Sequence, residues 1–325
     1  MRSALVVGID HYGHPFPRLH GAVSDAHAIQ QLLYSHADGS ANFQVELRTA
    51  STTGEGVNSG DLRNLVERLF QSNSDIALFY FAGHGHVERT GGYLLTSECS
   101  RGDQGLSLSD LLVMANESKI RNRVILLDSC HSGAAGVVPH VGQNSVLSEG
   151  LTIMTASSQD QYAHESGMGG VFTSLLVDAL SGAAANILGE ITPGSVYAHV
   201  DQSLSFLEQR PVFKTNVQSF VSLRRVEPVV TVEEIRRMLE FFPSRGSEYQ
   251  LDPSFEPRDD GRTEMMPAAD PANVEKLLVL RKYNRAALLV PVGVANLWDA
   301  CMESKPVRLT ALGEHYRRLA ELKRV

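Results

Sequence analysis

The sequence predicts an α/β fold with a mostly parallel sheet, followed by a smaller C-terminal module of helices and strands. Apolar runs of strand length alternate with segments whose apolar residues recur at helical spacing, as expected for strands joined by crossover helices. The two most apolar runs, 76–81 and 124–127, carry no charge, which is typical of strands buried on both faces. With 325 residues, 43% of them apolar, the chain is long enough for one large and one small domain.

Each predicted element of the large domain follows from its own local pattern. Apolar or alternating runs predict strands at 3–9, 43–49, 76–81, 93–95, 124–127, 151–156 and 212–216, the last at the edge of the sheet. Helical spacing of apolar residues predicts helices at 22–34, 61–70, 106–115, 172–181 and 196–208. Since strands and helices alternate, we expect helices on both faces of the sheet.

The composition changes after Glu227, which sets the predicted domain boundaries. Residues 1–227 form the large domain, and 228–271 combine a short helix with a flexible linker rich in Pro, Asp, Glu, Gly and Arg. In 272–325, short helices interleave with a strand, and Thr310 is the expected N-cap of the last helix. This last segment is similar to a small winged-helix α+β module.

Two of the apolar strands end in chemically reactive side chains. The strand at 76–81 leads into Ala82-Gly83-His84-Gly85-His86, and the strand at 124–127 leads into Asp128-Ser129-Cys130-His131-Ser132-Gly133. Because the carboxyl ends of parallel strands form the crevice where open α/β sheets place their sites, one histidine and one cysteine should meet there. A thiol activated by a neighbouring imidazole indicates a cysteine hydrolase.

Six motifs in the same order give residues 1–225 a resemblance to caspase-like cysteine proteases of the metacaspase and orthocaspase kind. The motifs are Val6–Asp10, Leu19–Ala26, Phe81–Gly85, Leu126–Gly133, Thr155–Gln161 and Gly169–Thr173. The separation of His84 and Cys130 is also close to the roughly 50 residues between the corresponding caspase residues. The resemblance implies a three-layer caspase-like sandwich and a cysteine-type endopeptidase.

The resemblance also assigns the reacting groups. Cys130 is implied as the nucleophile and His84 as the general base, which then protonates the leaving amine. The backbone N–H groups of Gly85 and Cys130 are implied as the oxyanion hole, in which fixed donors stabilise developing negative charge. No third member of a triad is evident in the sequence.

Other interpretations of these residues are open. His86 and His131 are alternative bases, although the family pattern selects His84, and Cys130 alone could be a buried small apolar residue. The histidines and Cys130 could instead hold zinc, but no local ligand pair such as C-x-x-C accompanies them. We therefore expect no metal and no cofactor, with calcium dependence left open.

Acidic residues indicate the substrate preference. In metacaspases, two acidic motif positions line the pocket for the residue before the scissile bond, and they correspond to Asp25 and Asp128; Asp160 is a further candidate. Carboxylates in a partly desolvated pocket favour a cation, above all the guanidinium fork. The resemblance gives no support to a pocket for aspartate, because caspases proper bind aspartate through arginines and none stands here at Leu19 or Ala22. We predict cleavage after Arg, with Lys second; the alternative is that Asp25 caps a helix and Asp128 anchors a loop.

The distribution of basic residues restricts self-processing. Between Arg123 and Arg210 there is no Lys or Arg, so an enzyme that cuts after basic residues cannot cut itself there. Arg245, Arg258 and Arg262 in the predicted linker are the candidate processing sites; a permanently single-chain enzyme is the alternative.

The composition narrows the function classes. A net charge of −8 argues against non-specific binding of nucleic acid, and against a transcription regulator that uses the C-terminal module. Three scattered cysteines fit a reducing cytoplasm, and no apolar run approaches the 18 or so residues of a membrane span. We expect a cytoplasmic thiol protease in regulated proteolysis, cell death or prokaryotic antiphage defence. Its partners would be protein substrates and an activating protease or regulator bound by the C-terminal module; the alternative is an inactive caspase-like scaffold.

Overall fold

The computed structural model describes residues 1–52, 56–129, 147–156, 165–166, 169–204 and 210–325, with the backbone alone at 165–166 and 169–170. These residues divide into two compact units, Met1–Glu227 and Pro228–Val325. Within the described ranges, no helix is both long and apolar enough to cross a membrane.

The first unit contains the following elements. Its strands are β1 (Arg2–Ile9), β2 (Gln44–Ala50), β3 (Ile76–Ala82), β4 (Gly85–Glu88), β5 (Gly91–Leu94), β6 (Leu106–Ser107), β7 (Asn122–Asp128), β8 (Leu151–Thr155), β9 (Glu165–Ser166), β10 (Gly169–Gly170), β11 (Glu190–Ile191), β12 (Val212–Asn216) and β13 (Arg224–Arg225). Its helices are α1 (Ala22–Tyr34), α2 (Ser59–Gln71), α3 (Leu108–Glu117), α4 (Val171–Asp178) and α5 (Pro193–Ser203).

The central sheet has six strands in the order β12-β8-β7-β3-β1-β2. All neighbouring strands pair in parallel except β12, which pairs antiparallel with β8 at the edge. Every residue of β3 is buried, as its uncharged sequence predicts for a strand covered on both faces. The structure confirms the predicted mostly parallel sheet with flanking helices.

Alternation along β1 shows why the sheet is covered on both faces. Leu5 and Val7 belong to a core that includes residues of α2 and α3, whereas Ala4 and Val6 belong to a second core with residues of α1, α4 and α5. Successive side chains of a strand point to opposite faces, so one strand contributes to both cores. The result is three layers: helices, sheet and helices.

Close packing places the start of α1 over the carboxyl end of β1. A Cβ atom at Gly8 would lie 2.4 Å from the carbonyl oxygen of Ala22 and 2.6 Å from the Cβ of Ala26. Only glycine allows this approach of strand and helix. The first turn of α1 therefore lies at the same end of the sheet as the residues that follow β1 and β3.

The predicted helix boundaries differ from the observed ones where capping decides them. Helix α5 begins at Pro193 rather than at 196, because Thr192 forms a capping box with Ser195 and Pro193 fits the first helical position. Helix α4 ends at Asp178 and leads into a π-helical turn, Ala179–Ala183.

The second unit is a small α+β structure. Its helices are α6 (Val232–Arg236), α7 (Met238–Phe241), α8 (Pro271–Arg285), α9 (Leu297–Met302) and α10 (Ala311–Glu321), and its strands are β14 (Glu248–Gln250), β15 (Leu289–Pro291) and β16 (Pro306–Leu309). The three strands form an antiparallel sheet in the order β14-β16-β15. Thr310 caps α10 as predicted, since its Oγ1 accepts a hydrogen bond from the Gly313 N–H at 3.1 Å. The similarity to a winged helix stays a prediction.

The prediction of a flexible linker within residues 228–271 is wrong for part of that segment. Strand β14 lies inside it and pairs with β16, and Phe255 and Glu256 are buried in the second unit. The rings of Phe241, Tyr249 and Phe255 pack edge to face, which anchors this stretch. A few aromatic residues thus order the segment from β14 to Glu256, although its Pro, Gly and charge content suggested a linker. The residues that follow it, 257–270, are largely exposed.

Candidate active site

Two neighbouring parallel strands carry the motifs predicted to hold the reacting groups. In the register of β3 and β7, Ala82 pairs with Asp128, and the Gly83 N–H donates to the Asp128 carbonyl oxygen at 3.2 Å. His84 is the second residue after β3, and Cys130 is the second residue after β7. Cys130 itself lies outside the described residues, as do His131 and Asp160.

Contacts with Tyr12 and Pro17 help to hold His84 at the end of β3. Its backbone N–H donates to the Tyr12 hydroxyl at 2.8 Å, and the two rings lie 4.6 Å apart between centroids. Its Nε2 lies 2.8 Å from the carbonyl oxygen of Pro17, which can only accept, so Nε2 carries the proton. In the neutral imidazole the lone pair is then on Nδ1, which is the basic atom of the ring.

The Pro17 carbonyl supplies the orienting partner that the sequence did not reveal. The sequence shows no third triad side chain, and in the structure a backbone oxygen is a partner of the His84 imidazole. A backbone carbonyl is present at every position, so no residue pattern could have indicated it.

Gly83 is required by the approach of Tyr12. A Cβ atom at position 83 would lie 2.4 Å from the Tyr12 hydroxyl oxygen, which is the atom that accepts the His84 N–H. The glycine before the histidine therefore preserves the hydrogen bond that fixes the backbone of His84.

The Gly85 N–H, which the resemblance implies as an oxyanion-hole donor, takes no part in the β4–β5 ladder. Strands β4 and β5 are antiparallel, and the Leu95 N–H donates to the His84 carbonyl oxygen at 2.9 Å. Hydrogen-bonded and non-hydrogen-bonded pairs alternate in such a ladder, so Gly85 and Leu94 form a non-hydrogen-bonded pair. The Gly85 N–H consequently points away from β5.

His86, the alternative base, contacts a different part of the molecule. Its ring packs against Gly102, where a Cβ atom would come within 1.8 Å of the imidazole, and its Nε2 lies 3.1 Å from Oε1 of Glu88. These contacts hold His86 against the three-stranded sheet β4-β5-β6 and the segment that joins β5 to β6. They give no support to His86 as the base.

The two predicted pocket carboxylates lie near one buried hydroxyl. Asp25, in the first turn of α1, is 8% exposed, and Asp128 is half-buried at the end of β7. Burial raises the pKa of Tyr80 well above its usual value, and the charges of Asp128 and Asp25 raise it further. Two acidic residues that are about a hundred positions apart in sequence thus both act electrostatically on one buried hydroxyl.

The alternative role of Asp25 as a helix cap is not supported. The N-cap of α1 is Gly21, and Asp25 lies inside the helix with its N–H bonded to the Gly21 carbonyl oxygen at 2.9 Å. A capping side chain would have to precede the first turn. Asp25 is therefore a buried acid within a helix, which is uncommon unless the charge has a partner or a function.

Sequence reasoning missed Tyr80 and Thr173. The Tyr80 hydroxyl lies 2.6 Å from Oγ1 of Thr173, and Oγ1 in turn donates to Oδ2 of Asp128. In the sequence, Tyr80 is one residue of an apolar run. Thr173 ends the motif Gly169–Thr173, which carries the resemblance but assigned no role to the threonine.

The three candidate processing sites differ in their environment. Arg245 and Arg258 are exposed. The side chain of Arg262 is only 10% exposed: its guanidinium donates to the carbonyl oxygens of Glu256, at 2.6 Å, and Pro267. A protease pocket would have to pull Arg262 away from these partners.

The described residues do not supply a metal centre. No group of three or more His, Cys, Asp or Glu side chains in the described ranges is arranged to hold a metal ion.

Comparison with known proteins identifies one family. The caspase-domain family matches residues 1–222. Caspase-1 from Spodoptera frugiperda superposes with a TM-score of 0.52 and 13% identity, over 69% of this chain and 90% of that chain. A protein from Geobacter sulfurreducens gives a TM-score of 0.49 and 14% identity, over 70% of this chain and 98% of that chain. No curated protein matches significantly, and at these identities the structural likeness concerns the fold alone.

Proposed function

The chain belongs to the caspase-domain family of cysteine peptidases, and we propose that it is an active endopeptidase that cleaves proteins after Arg, with Lys second. The observation that carries this proposal is the fixed orientation of His84. Its Nε2 proton is bonded to the Pro17 carbonyl, at the end of the strand beside the one that leads to Cys130. That arrangement suits a base poised for a thiol, and an inactive scaffold would have no need of it.

In the proposed reaction, the sulfur of Cys130 attacks the scissile carbonyl carbon while its proton passes to Nδ1 of His84. The backbone N–H groups of Gly85 and Cys130 stabilise the negative charge on the carbonyl oxygen. His84 then protonates the leaving amine and the carbon–nitrogen bond breaks. Water attacks the resulting thioester with His84 as base, which releases the acid and restores the thiol.

We propose that Asp25 and Asp128, with Asp160 as a further candidate, bind the cationic side chain before the scissile bond. Two buried or half-buried carboxylates near one another are costly unless a cation offsets their repulsion. An arginine side chain matches a carboxylate pair through two parallel hydrogen bonds, whereas lysine offers a single point charge. This chemistry supports Arg before Lys, and the reaction requires no cofactor.

We further propose a cytoplasmic enzyme for regulated proteolysis, cell death or antiphage defence. The second unit, Pro228–Val325, is the proposed binding site for an activating protease or regulatory protein. Self-processing is proposed at Arg245 or Arg258, because both side chains are exposed.

The test of the proposed function is hydrolysis of fluorogenic peptides that end in Arg, Lys or Asp, by the wild type and by Cys130→Ala. Cleavage after Arg that is lost in the variant supports both the nucleophile and the pocket. Cleavage after Asp and not after Arg would overturn the specificity. Activity that persists in Cys130→Ala would overturn the nucleophile.

A further inference from the structure

A chain of hydrogen bonds runs beneath the proposed pocket and joins three elements of the first unit. Tyr80 lies in the middle of β3, Thr173 in the first turn of α4, and Asp128 at the end of β7. Tyr80 is 0% exposed and Thr173 is 1% exposed, while the carboxylate at the end of the chain is half-buried. Two fully buried hydroxyl groups are thus linked to a half-buried carboxyl group at the end of β7.

The direction of the hydrogen bonds follows from the number of protons. Thr173 has a single hydroxyl proton, and that proton is donated to Oδ2 of Asp128. Its oxygen must therefore accept from the Tyr80 hydroxyl, 2.6 Å away. Burial and the nearby carboxylates raise the pKa of Tyr80, so its hydroxyl keeps its proton and remains a donor.

This direction requires that Oδ2 of Asp128 accepts a hydrogen bond and does not itself carry a proton. If Asp128 were protonated and donated to Thr173, the threonine would have to donate to Tyr80, whose own proton would then need another acceptor. Among the described residues, Thr173 is the hydrogen-bond partner of the Tyr80 hydroxyl. A buried donor without an acceptor is costly, so the chain of bonds disfavours a proton on Oδ2 of Asp128.

We propose that Tyr80 and Thr173 are positioning residues for substrate specificity: they hold the Asp128 carboxyl group, with Oδ2 as an acceptor, oriented toward the guanidinium group of the residue before the scissile bond. This inference rests on the proposed function and deepens it. One oxygen of Asp128 is held by Thr173, and that bond restricts the direction in which the carboxylate can face a ligand. Neither Tyr80 nor Thr173 is expected to contact the reacting atoms.

The test uses full-length Cys130→Ala, so that binding is measured without turnover. Calorimetry compares a peptide that ends in Arg with the same peptide ending in citrulline, which keeps the shape of arginine and lacks its charge. We expect Thr173→Val to weaken binding of the Arg peptide about tenfold, since a hydrogen bond to a charged group is lost, and to leave citrulline binding unchanged. Thr173→Ser, which keeps the hydroxyl, should bind like the parent.

Thr152→Val provides the matched control. Thr152 is also a buried threonine of the first unit, and its Oγ1 lies 2.8 Å from Oγ1 of Thr215, but it stands at the start of β8. Its loss should not change binding of either peptide. Tyr80→Phe removes one hydroxyl with little change of shape and should weaken binding of the Arg peptide by about threefold. This variant tests the same chain of hydrogen bonds if Thr173→Val folds poorly.

Kinetics with intact Cys130 distinguish the proposed peptidase activity from the proposed positioning role of Tyr80 and Thr173. In Thr173→Val, KM for Arg peptides should rise about tenfold while kcat stays within about twofold. Unchanged binding and KM in both Thr173→Val and Tyr80→Phe would overturn the positioning role while the peptidase stands. Arg peptides bound in the Cys130→Ala protein but not cleaved by wild type would overturn the peptidase and leave the positioning role in place.

Discussion

The carbonyl oxygen of Pro17 accepts a hydrogen bond from Nε2 of His84 at 2.8 Å. The bond fixes the tautomer and the orientation of the ring. In catalytic histidines, a carboxylate or amide side chain usually has this role. Because the partner is a backbone atom, it has no charge to lose with pH, and its position depends on the chain between β1 and α1.

His84 is predicted to be the base. His84→Ala should lower kcat/KM for Arg peptides by about 10²- to 10⁴-fold, the usual contribution of a positioned general base. His86→Ala is the matched control, since the residue lies two positions away and is engaged with Glu88 and Gly102; it should stay within about threefold of wild type. A severe loss in His86→Ala together with an active His84→Ala would reverse the assignment.

Cys130 is predicted to be the reactive thiol among the three cysteines. Cys99 and Cys301 are both 0% exposed; burial raises the pKa of Cys99, and burial together with the charge of Glu256 raises the pKa of Cys301 to about 12. Protonated, buried thiols react slowly. Mass spectrometry after iodoacetamide at neutral pH should find one modified cysteine in the native wild type and none in native Cys130→Ala. In urea, all cysteines should react, and rapid labelling of Cys301 in the native protein would contradict its burial.

The raised pKa of Cys301 also predicts a loss of stability at alkaline pH. The folded state holds the thiol proton up to a pKa of about 12, whereas the unfolded thiol releases it near its ordinary value of 9.0. Its contribution to stability is therefore complete below pH 9 and falls as the pH rises from 9 toward 12. Cys301→Ala should flatten the decline in the free energy of unfolding over about pH 9 to 11, measured by urea titration. Parallel curves for the two proteins would exclude a contribution from this thiol.

The parts of the fold that could be predicted are those with strong local patterns. The apolar runs of β3 and β7 and the helical spacing of α1 are enough to place His84 and Asp25 at the same end of one sheet. This works because side-chain periodicity and strand order follow directly from burial on two faces.

What could not be predicted depends on contacts between distant segments. The Pro17 carbonyl has no sequence signature, and Thr173 meets Tyr80 only because α4 packs across the sheet. The prediction of a flexible linker before α8 was wrong for a related reason. Phe255 and Glu256 are buried by tertiary contacts, whereas the surrounding Pro, Gly and charged residues indicate a loop. Local composition alone does not show which residues of such a segment are buried, because tertiary packing decides that.

The proposed pocket of Asp25 and Asp128 predicts a charge-dependent substrate preference. Asp128→Asn should reduce kcat/KM for Arg peptides by about 10²-fold, because a charge-assisted pair is replaced by a neutral contact while the shape is kept. Asp25→Asn should act in the same direction. Asp110→Asn is the control: it removes the same charge from α3, where Asp110 pairs with Arg63 at the surface. An Arg preference that survives in both pocket variants would mean that other groups bind the cation.

Self-processing, if the enzyme performs it, is predicted at Arg245 or Arg258 and not at Arg262. The guanidinium of Arg262 is held by the carbonyl oxygens of Glu256 and Pro267, so binding it in a protease pocket requires breaking these bonds first. Incubation of the active protein, followed by mass spectrometry of the fragments, should give new termini at 246 or 259. Arg258→Gln and Arg245→Gln should each remove one of these cuts, whereas Arg262→Gln should loosen the loop 256–267 and speed cleavage at Arg258. Cleavage after Arg262 in the wild type, at a rate equal to that at Arg258, would show that the carbonyl contacts do not protect it.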